Sequence, residues 1–94
     1  MSQTLNISTV VKPADGLIAT DMDGEKVVLS ISNGKYYNLG ATGGRVWGHL
    51  AGSQRIEEVV ELLLQEYQID RKTCEADVFE FLNQVYKEGL IQVC

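Results

Sequence analysis

At 94 residues the chain has the length of one domain, able to bury about 60–70% of the surface it exposes when unfolded. Eight Lys and Arg against thirteen Asp and Glu give a formal charge of −5, too few cations for the basic face that displaces counterions from nucleic acid. With 45% hydrophobic residues, 22% charged residues and one proline, the composition excludes a disordered or low-complexity chain, and no stretch approaches the roughly 20 apolar residues of a membrane span.

The opening MSQTLNISTVVKPADG has neither the basic start nor the continuous apolar run of a secretory signal, which points to the cytoplasm. Residues 1–7 read as a flexible arm. Ile7, Val10 and Val11 lie close to Pro13, a pattern that suits an extended arm or an edge strand better than a helix.

From Leu17 to Leu39 the signal is sharper. Asp23-Gly24 and Asn33-Gly34 are dipeptides that tolerate the positive φ of a type I′ turn, and each lies between short apolar runs. Two tight hairpins follow, giving a meander of Leu17–Met22, Glu25–Ser32 and Lys35–Leu39. Two-residue loops would set Thr20 opposite Val27, Ile18 opposite Leu29, Ile31 opposite Tyr36, Val28 opposite Leu39 and Ser30 opposite Tyr37. Both faces then carry large apolar groups. One face needs helices as cover; the other is left to the N-terminal arm or to a second copy in a homodimer.

Gly40-Ala41 breaks the third strand, and Thr42 is placed to cap a short helix from Gly43 to Leu50, with Trp47 as the core anchor between sheet and helices. Ala51-Gly52 ends it, and Ser53 is placed to cap a second helix to about Tyr67. Ile56, Val59, Val60, Leu63 and Tyr67 recur at helical spacing as a buried stripe, with Glu57, Glu58 and Glu61 on the solvated side. Asp70 or Thr73 starts the last helix, which stops at Gly89. Its inner stripe reads Cys74, Val78, Phe81 and Val85, and Phe79, Leu82 and Tyr86 make a second apolar strip. Leu90 to Val93 leaves as an extended tail.

Catalytic chemistry finds no footing in these residues, and the reading is of a protein that is not an enzyme. Gly40, Gly43 and Gly44 match neither a phosphate-cradling loop nor a dinucleotide fingerprint. Asp21, Asp23 and Glu25 start like a calcium loop, but the spacing fails beyond the third position. Cys74 and Cys94 form no C-x-x-C pair, and His49 is the single histidine, so neither a metal site nor a cofactor is expected. Cys74 on an apolar stripe makes a poor thiolate.

A binding module is what remains. The stretch Asn33 to Trp47 leads from a turn through an aromatic strand into the first helix. In a meander the first and third strands are edges, and proteins blunt exposed edges with charge, proline or cover. Residues 7–12 are available to cover the first. Lys35, Tyr36, Tyr37, Asn38 and Leu39 carry no proline and one charge, which leaves their backbone open to an added strand. The second wall of such a groove is either the Phe79, Leu82, Tyr86 strip or the flank of Asp77, Phe81 and Glu88.

Tyr36-Tyr37, Leu39, Val46-Trp47, Gly52, Asp77-Val78 with Phe81-Leu82, and Gly89-Leu90-Ile91, in this order and spacing, resemble the PqqD-like recognition elements of ribosomal natural-product biosynthesis. The resemblance covers residues 8–94, and a free-standing chain of this length is similar to the small recognition proteins of lasso-peptide clusters. It departs at Gly40, where many relatives carry asparagine. The resemblance implies an α+β, winged helix-turn-helix-like fold: a three-stranded antiparallel meander and three helices. It also implies that the leader of a precursor peptide adds as a strand along Lys35 to Leu39 and rests on the last helix. Its apolar anchors would then meet Val78, Phe81, Leu82 and Tyr86, and a leader lysine would meet Asp77 or Glu80. The implied partners are the leader peptide, a separate cysteine protease that removes it and a cyclase that closes the ring. The competing class is a winged-helix DNA-binding regulator, which needs a basic helix for the major groove. The last helix sets Arg71, Lys72 and Lys87 against Glu75, Asp77, Glu80 and Glu88, a poor match to phosphate.

Overall fold

The computed structural model describes residues 5–50 and 52–94. The fold is α+β. β2 (Leu17–Met22), β3 (Glu25–Ser30) and β4 (Tyr36–Leu39) form an antiparallel meander in the order β2-β3-β4, followed by helices α1 (Gly40–Gly48), α2 (Ile56–Glu66) and α3 (Arg71–Lys87). A second sheet sets β1 (Val10–Pro13) between β5 (Gln54–Arg55) and β6 (Ile91–Val93).

The first hairpin follows the expected register, with Thr20 opposite Val27 and Ile18 opposite Leu29. Asp23 at φ 54 and Gly24 at φ 82 make its type I′ turn, the geometry that matches strand twist. The second hairpin differs. Among its turn residues only Gly34 has positive φ, at 71. The Asn33 side chain instead accepts the Lys35 N–H at 2.9 Å. Ser30 N–H donates to the Lys35 carbonyl at 2.8 Å, which closes a four-residue loop. β3 therefore ends at Ser30, and Tyr36 and Tyr37 oppose Leu29 and Val28, two residues off the expected register. An even slip keeps every side chain on its expected face.

The N-terminal segment does not cover the β2 edge. Val11 is fully buried, and β1 pairs with residues far along the chain, Val10 with Arg55 and Val11 with Val93. Leu5 is buried and Ile7 packs on the core, so residues 5–7 are held, while residues 1–4 of the expected arm lie outside the described residues. The arm also caps α2: the carbonyls of Thr9 and Ile7 accept the N–H groups of Ile56 and Glu57, donors that a helix start leaves without internal partners. Ser53 is thus not the cap; α2 starts at Ile56, with Glu58 reaching back to the Arg55 N–H at 3.2 Å.

α1 begins three residues before the expected Gly43. Thr42 lies inside it, and the Asn38 carboxamide accepts the Gly40 N–H at 2.8 Å. Gly40 sits at φ 73, a left-handed conformation that glycine and asparagine both tolerate. The departure at this position therefore keeps the same corner. Trp47 is 8% exposed in one contiguous core with Val28, Leu50, Ile56 and Leu82. Gly44 brings α1 down on β3, since a Cβ there would lie 2.7 Å from Lys26 Cβ. Gly44→Ala is expected to destabilise the protein by about 1–3 kcal/mol, read as a lowered urea midpoint at unchanged slope.

α3 is capped as expected. Asp70 accepts the Thr73 N–H at 2.9 Å and the Thr73 hydroxyl at 2.8 Å. At its other end Leu90 N–H donates to Val85 and Gly89 N–H to Tyr86, the Schellman pattern, with Gly89 at φ 79. The buried stripe is Cys74, Val78, Leu82 and Val85. Phe81, expected on it, is only half-buried, and Leu82 takes the core position.

The bonds from the Thr73 backbone and then its hydroxyl hold the Asp70 carboxyl below its ordinary value. A depressed carboxyl contributes stability that is complete above the unfolded value and lost as pH falls through the folded one. The loss on acidifying below about pH 4 is expected to be smaller in Asp70→Asn, which keeps a capping side chain but no charge. Urea midpoints measured from pH 7 to pH 3 check this.

Candidate functional site

β4 lies at the outer edge of the meander. Because Ser30 N–H bonds to Lys35, antiparallel alternation makes Val28 and Tyr37 the next hydrogen-bonded pair. The Tyr37 backbone is thereby spent on β3. The N–H and C=O of Tyr36 and Asn38 point instead to the open edge, so the groups available to a further strand belong to these two residues. Side chains alternate the other way: Tyr37 and Leu39 are half-buried towards the helices, while Tyr36 is 75% exposed on the outer face.

Beside β4 runs a trough whose far wall is α3. Its larger part, about 400 Å³, is lined by Leu39, Thr42, Gly43, Val46, Leu63, Tyr67, Ile69, Cys74, Asp77, Val78, Glu80, Phe81 and Gln84. A smaller part of about 250 Å³ is lined by Tyr37, Asn38, Leu39, Phe81, Gln84, Val85, Glu88 and Leu90. Leu39, Phe81 and Gln84 line both and form the wall between them. The flank of α3 that faces the strand is thus Asp77, Phe81, Gln84 and Glu88. Of the residues expected at the site, Tyr37, Asn38, Leu39, Asp77, Val78 and Phe81 meet here. Lys35 stands just before the strand, Leu82 is fully buried in the core, and Tyr86 lines neither part.

Sequence reasoning missed the α1 contribution. Gly43 has no Cβ, and one placed there would lie 2.7 Å from the Phe81 ring. This absent atom is what lets Phe81 fold back against α1 and leaves the larger cavity its size. Gly43→Ala is expected to push the ring into the trough and weaken any occupant of the larger cavity about tenfold, with a smaller effect on unfolding; binding and urea titrations of the same variant separate the two. Ile69, 42% exposed at the mouth of the cavity, was legible as an apolar residue in a link between helices.

A separate polar cluster gathers around Glu66. His49 Nε2 lies 2.9 Å from Glu66, which also pairs with Arg45 at 3.2 Å. The bond to His49 is the main reason the Glu66 carboxyl is held below its usual range. The cleft beside them is lined by Asp21, Lys26 and glycines, with no hydroxyl or thiol. Burial, with the nearby Asp77 and Glu75 charges, pushes the Cys74 thiol up, away from a reactive thiolate. Among the described residues no group of three His, Cys, Asp or Glu could hold a metal ion, and no helix is long and apolar enough to cross a membrane.

The family described as coenzyme PQQ synthesis protein D (PqqD) matches residues 25–91, a span running from β3 through the last helix. The chain belongs to the PqqD family. Among solved structures this PqqD-family chain is similar to TbiB1 in complex with the TbiA(beta) leader peptide, with 34% identity and a TM-score of 0.79 over 86% of this chain and 94% of that one. It shares its fold with lasso peptide synthetase B1 complexed with the leader peptide, at 18% identity and a TM-score of 0.71, covering 87% of this chain and 96% of that one. A comparison with curated protein sequences finds no match. The PqqD fold here is the three-stranded meander with three helices, for which winged helix-turn-helix is a loose description.

Proposed function

We propose that this protein is a non-catalytic binder of the leader of a lasso-type precursor peptide. The leader adds as an antiparallel or parallel strand beside Tyr36 to Leu39, with Lys35 at its rim. Alternate side chains enter the trough against Asp77, Val78 and Phe81, and Leu82 supports that wall from the core. The observation that carries the reading is the open β4 edge backed by a trough on α3. A 34% identical structure in complex with a leader peptide supports it.

Main-chain hydrogen bonds supply affinity in such strand addition, and the pockets supply selectivity. The chain then holds the precursor for a separate cysteine protease and for the cyclase that follows, in the cytoplasm. The outer face of the meander, with Ile18, Met22, Leu29, Ile31 and Tyr36 exposed, is left for a protein partner or a second copy.

Titration of a fluorescently labelled lasso-precursor leader tests this. Saturable binding is expected, and Phe81→Ala, which removes the wall shared by both cavities, is expected to weaken it about tenfold. Leader binding untouched by Phe81→Ala would remove the trough from the mechanism. Duplex DNA at physiological salt is expected not to bind; salt-sensitive binding to it would favour the regulator instead.

A further inference from the structure

The trough is apolar at its floor and acidic along its rim. Asp77 and Glu80 line the larger cavity and Glu88 the smaller one, and no Lys or Arg lines either. Among the described residues none of the three carboxylates forms an ion pair. Four of the eight cations are paired elsewhere, Arg71 to Glu61 and Glu75, Arg45 to Glu66, Arg55 to Glu57 and Lys26 to Asp21, and Lys35, Lys72 and Lys87, which lie nearest in sequence to the trough residues, form no ion pair with them and line neither cavity. A neutral strand laid on this floor would strip water from the carboxylates and give nothing back. A cationic one would replace the lost water with charge-assisted hydrogen bonds. The penalty against the wrong peptide discriminates as much as the attraction for the right one.

We infer that the trough selects leaders in which a bulky apolar residue is bracketed by lysine or arginine on the same face of the added strand. This rests on the strand-addition reading and narrows its substrate class. The spacing follows from geometry. Glu80 and Glu88 are eight positions apart on α3 and its cap, about 12 Å along the axis at roughly 1.5 Å per residue. Trough-facing residues of a strand recur about every 6.6 Å, so two cations four residues apart span about 13 Å. The apolar residue between them falls at Phe81 and Gln84, where the two cavities meet. The pattern is cation-x-apolar-x-cation.

The test uses the full chain and a phage-displayed library of random twelve-residue peptides, selected on the wild type and counter-selected on Tyr36→Pro to keep only binders of the β4 edge. Lysine and arginine are expected to be enriched at least threefold over aspartate and glutamate at the positions two residues either side of the apolar one. In a synthetic winner, exchanging those cations for glutamate is expected to cost at least tenfold in affinity, recovered on E80K/E88K. On E80Q/E88Q, which avoids any folding cost of charge reversal and leaves only Asp77 charged, the preference between the two peptides is expected to fall at least about threefold. Edge-dependent binders without a cation preference, or with one that E80Q/E88Q leaves intact, would overturn this inference and leave strand addition standing. A library yielding no binder that Tyr36→Pro abolishes would overturn both.

Discussion

Tyr36→Pro is expected to weaken leader binding about tenfold to a hundredfold while the protein stays folded. Proline removes one open-edge N–H and leaves the facing carbonyl of the added strand without its donor, a loss of about 1–3 kcal/mol. The position tolerates the ring because Tyr36 is the first residue of β4, a place where a strand accepts proline. Tyr37→Pro would not serve, since the Tyr37 N–H faces Val28 inside the sheet and its loss would disrupt the hairpin. Tyr36→Ala is the companion variant. It removes a ring that is 75% exposed and turned away from the trough, so it is expected to change affinity less than threefold. Fluorescence titrations of both variants, with circular dichroism to verify the fold, check the pair.

The second large effect is on stability. Trp47→Ala is expected to cost about 3–5 kcal/mol, a large share of the roughly 5–15 kcal/mol that holds a domain folded. Trp47 joins α1 to the buried Val28 of the sheet and to the α2 and α3 stripes in a single core, so the cavity opens where three elements meet. At about 4–8 °C per kcal/mol for a chain of this size, the midpoint of thermal unfolding is expected to fall by at least about 12 °C. A fall of less than about 4 °C would mean that the ring is not the anchor of the core.

Much of this was legible because it is local. Asp23-Gly24 declared the first turn, the stripe Ile56, Val59, Val60 and Leu63 declared α2, and Asp70 and Gly89 bounded α3, each through chemistry within a few residues. Asn33-Gly34 misled because the same dipeptide serves two loops. The Asn33 side chain bonded the Lys35 N–H, and β3 left the ladder at Ser30, two residues earlier than a type I′ turn would have required. Val10, Val11 and Leu90 to Val93 read as extended, but the pairing of the second sheet left no local signature, since Val11 meets Gln54 and Val93 and only the folded core specifies that pairing. Assigning Phe81 to the core and Leu82 to a flank was an error of about 100° around the axis. What settles it is Gly43 on another helix, which gives the Phe81 ring its seat. The same contact decides that the flank of Asp77 and Glu88, rather than that of Phe79 and Tyr86, faces the strand.

Strand addition at β4 is tested most directly by amide hydrogen exchange read residue by residue, with and without a lasso-precursor leader peptide. Exchange at Tyr36 and Asn38 is expected to slow markedly on binding, while Tyr37, already bonded to β3, changes little. Saturable binding that leaves Tyr36 and Asn38 exchanging at their free rates, with protection appearing on β2 or on the outer face instead, would contradict it.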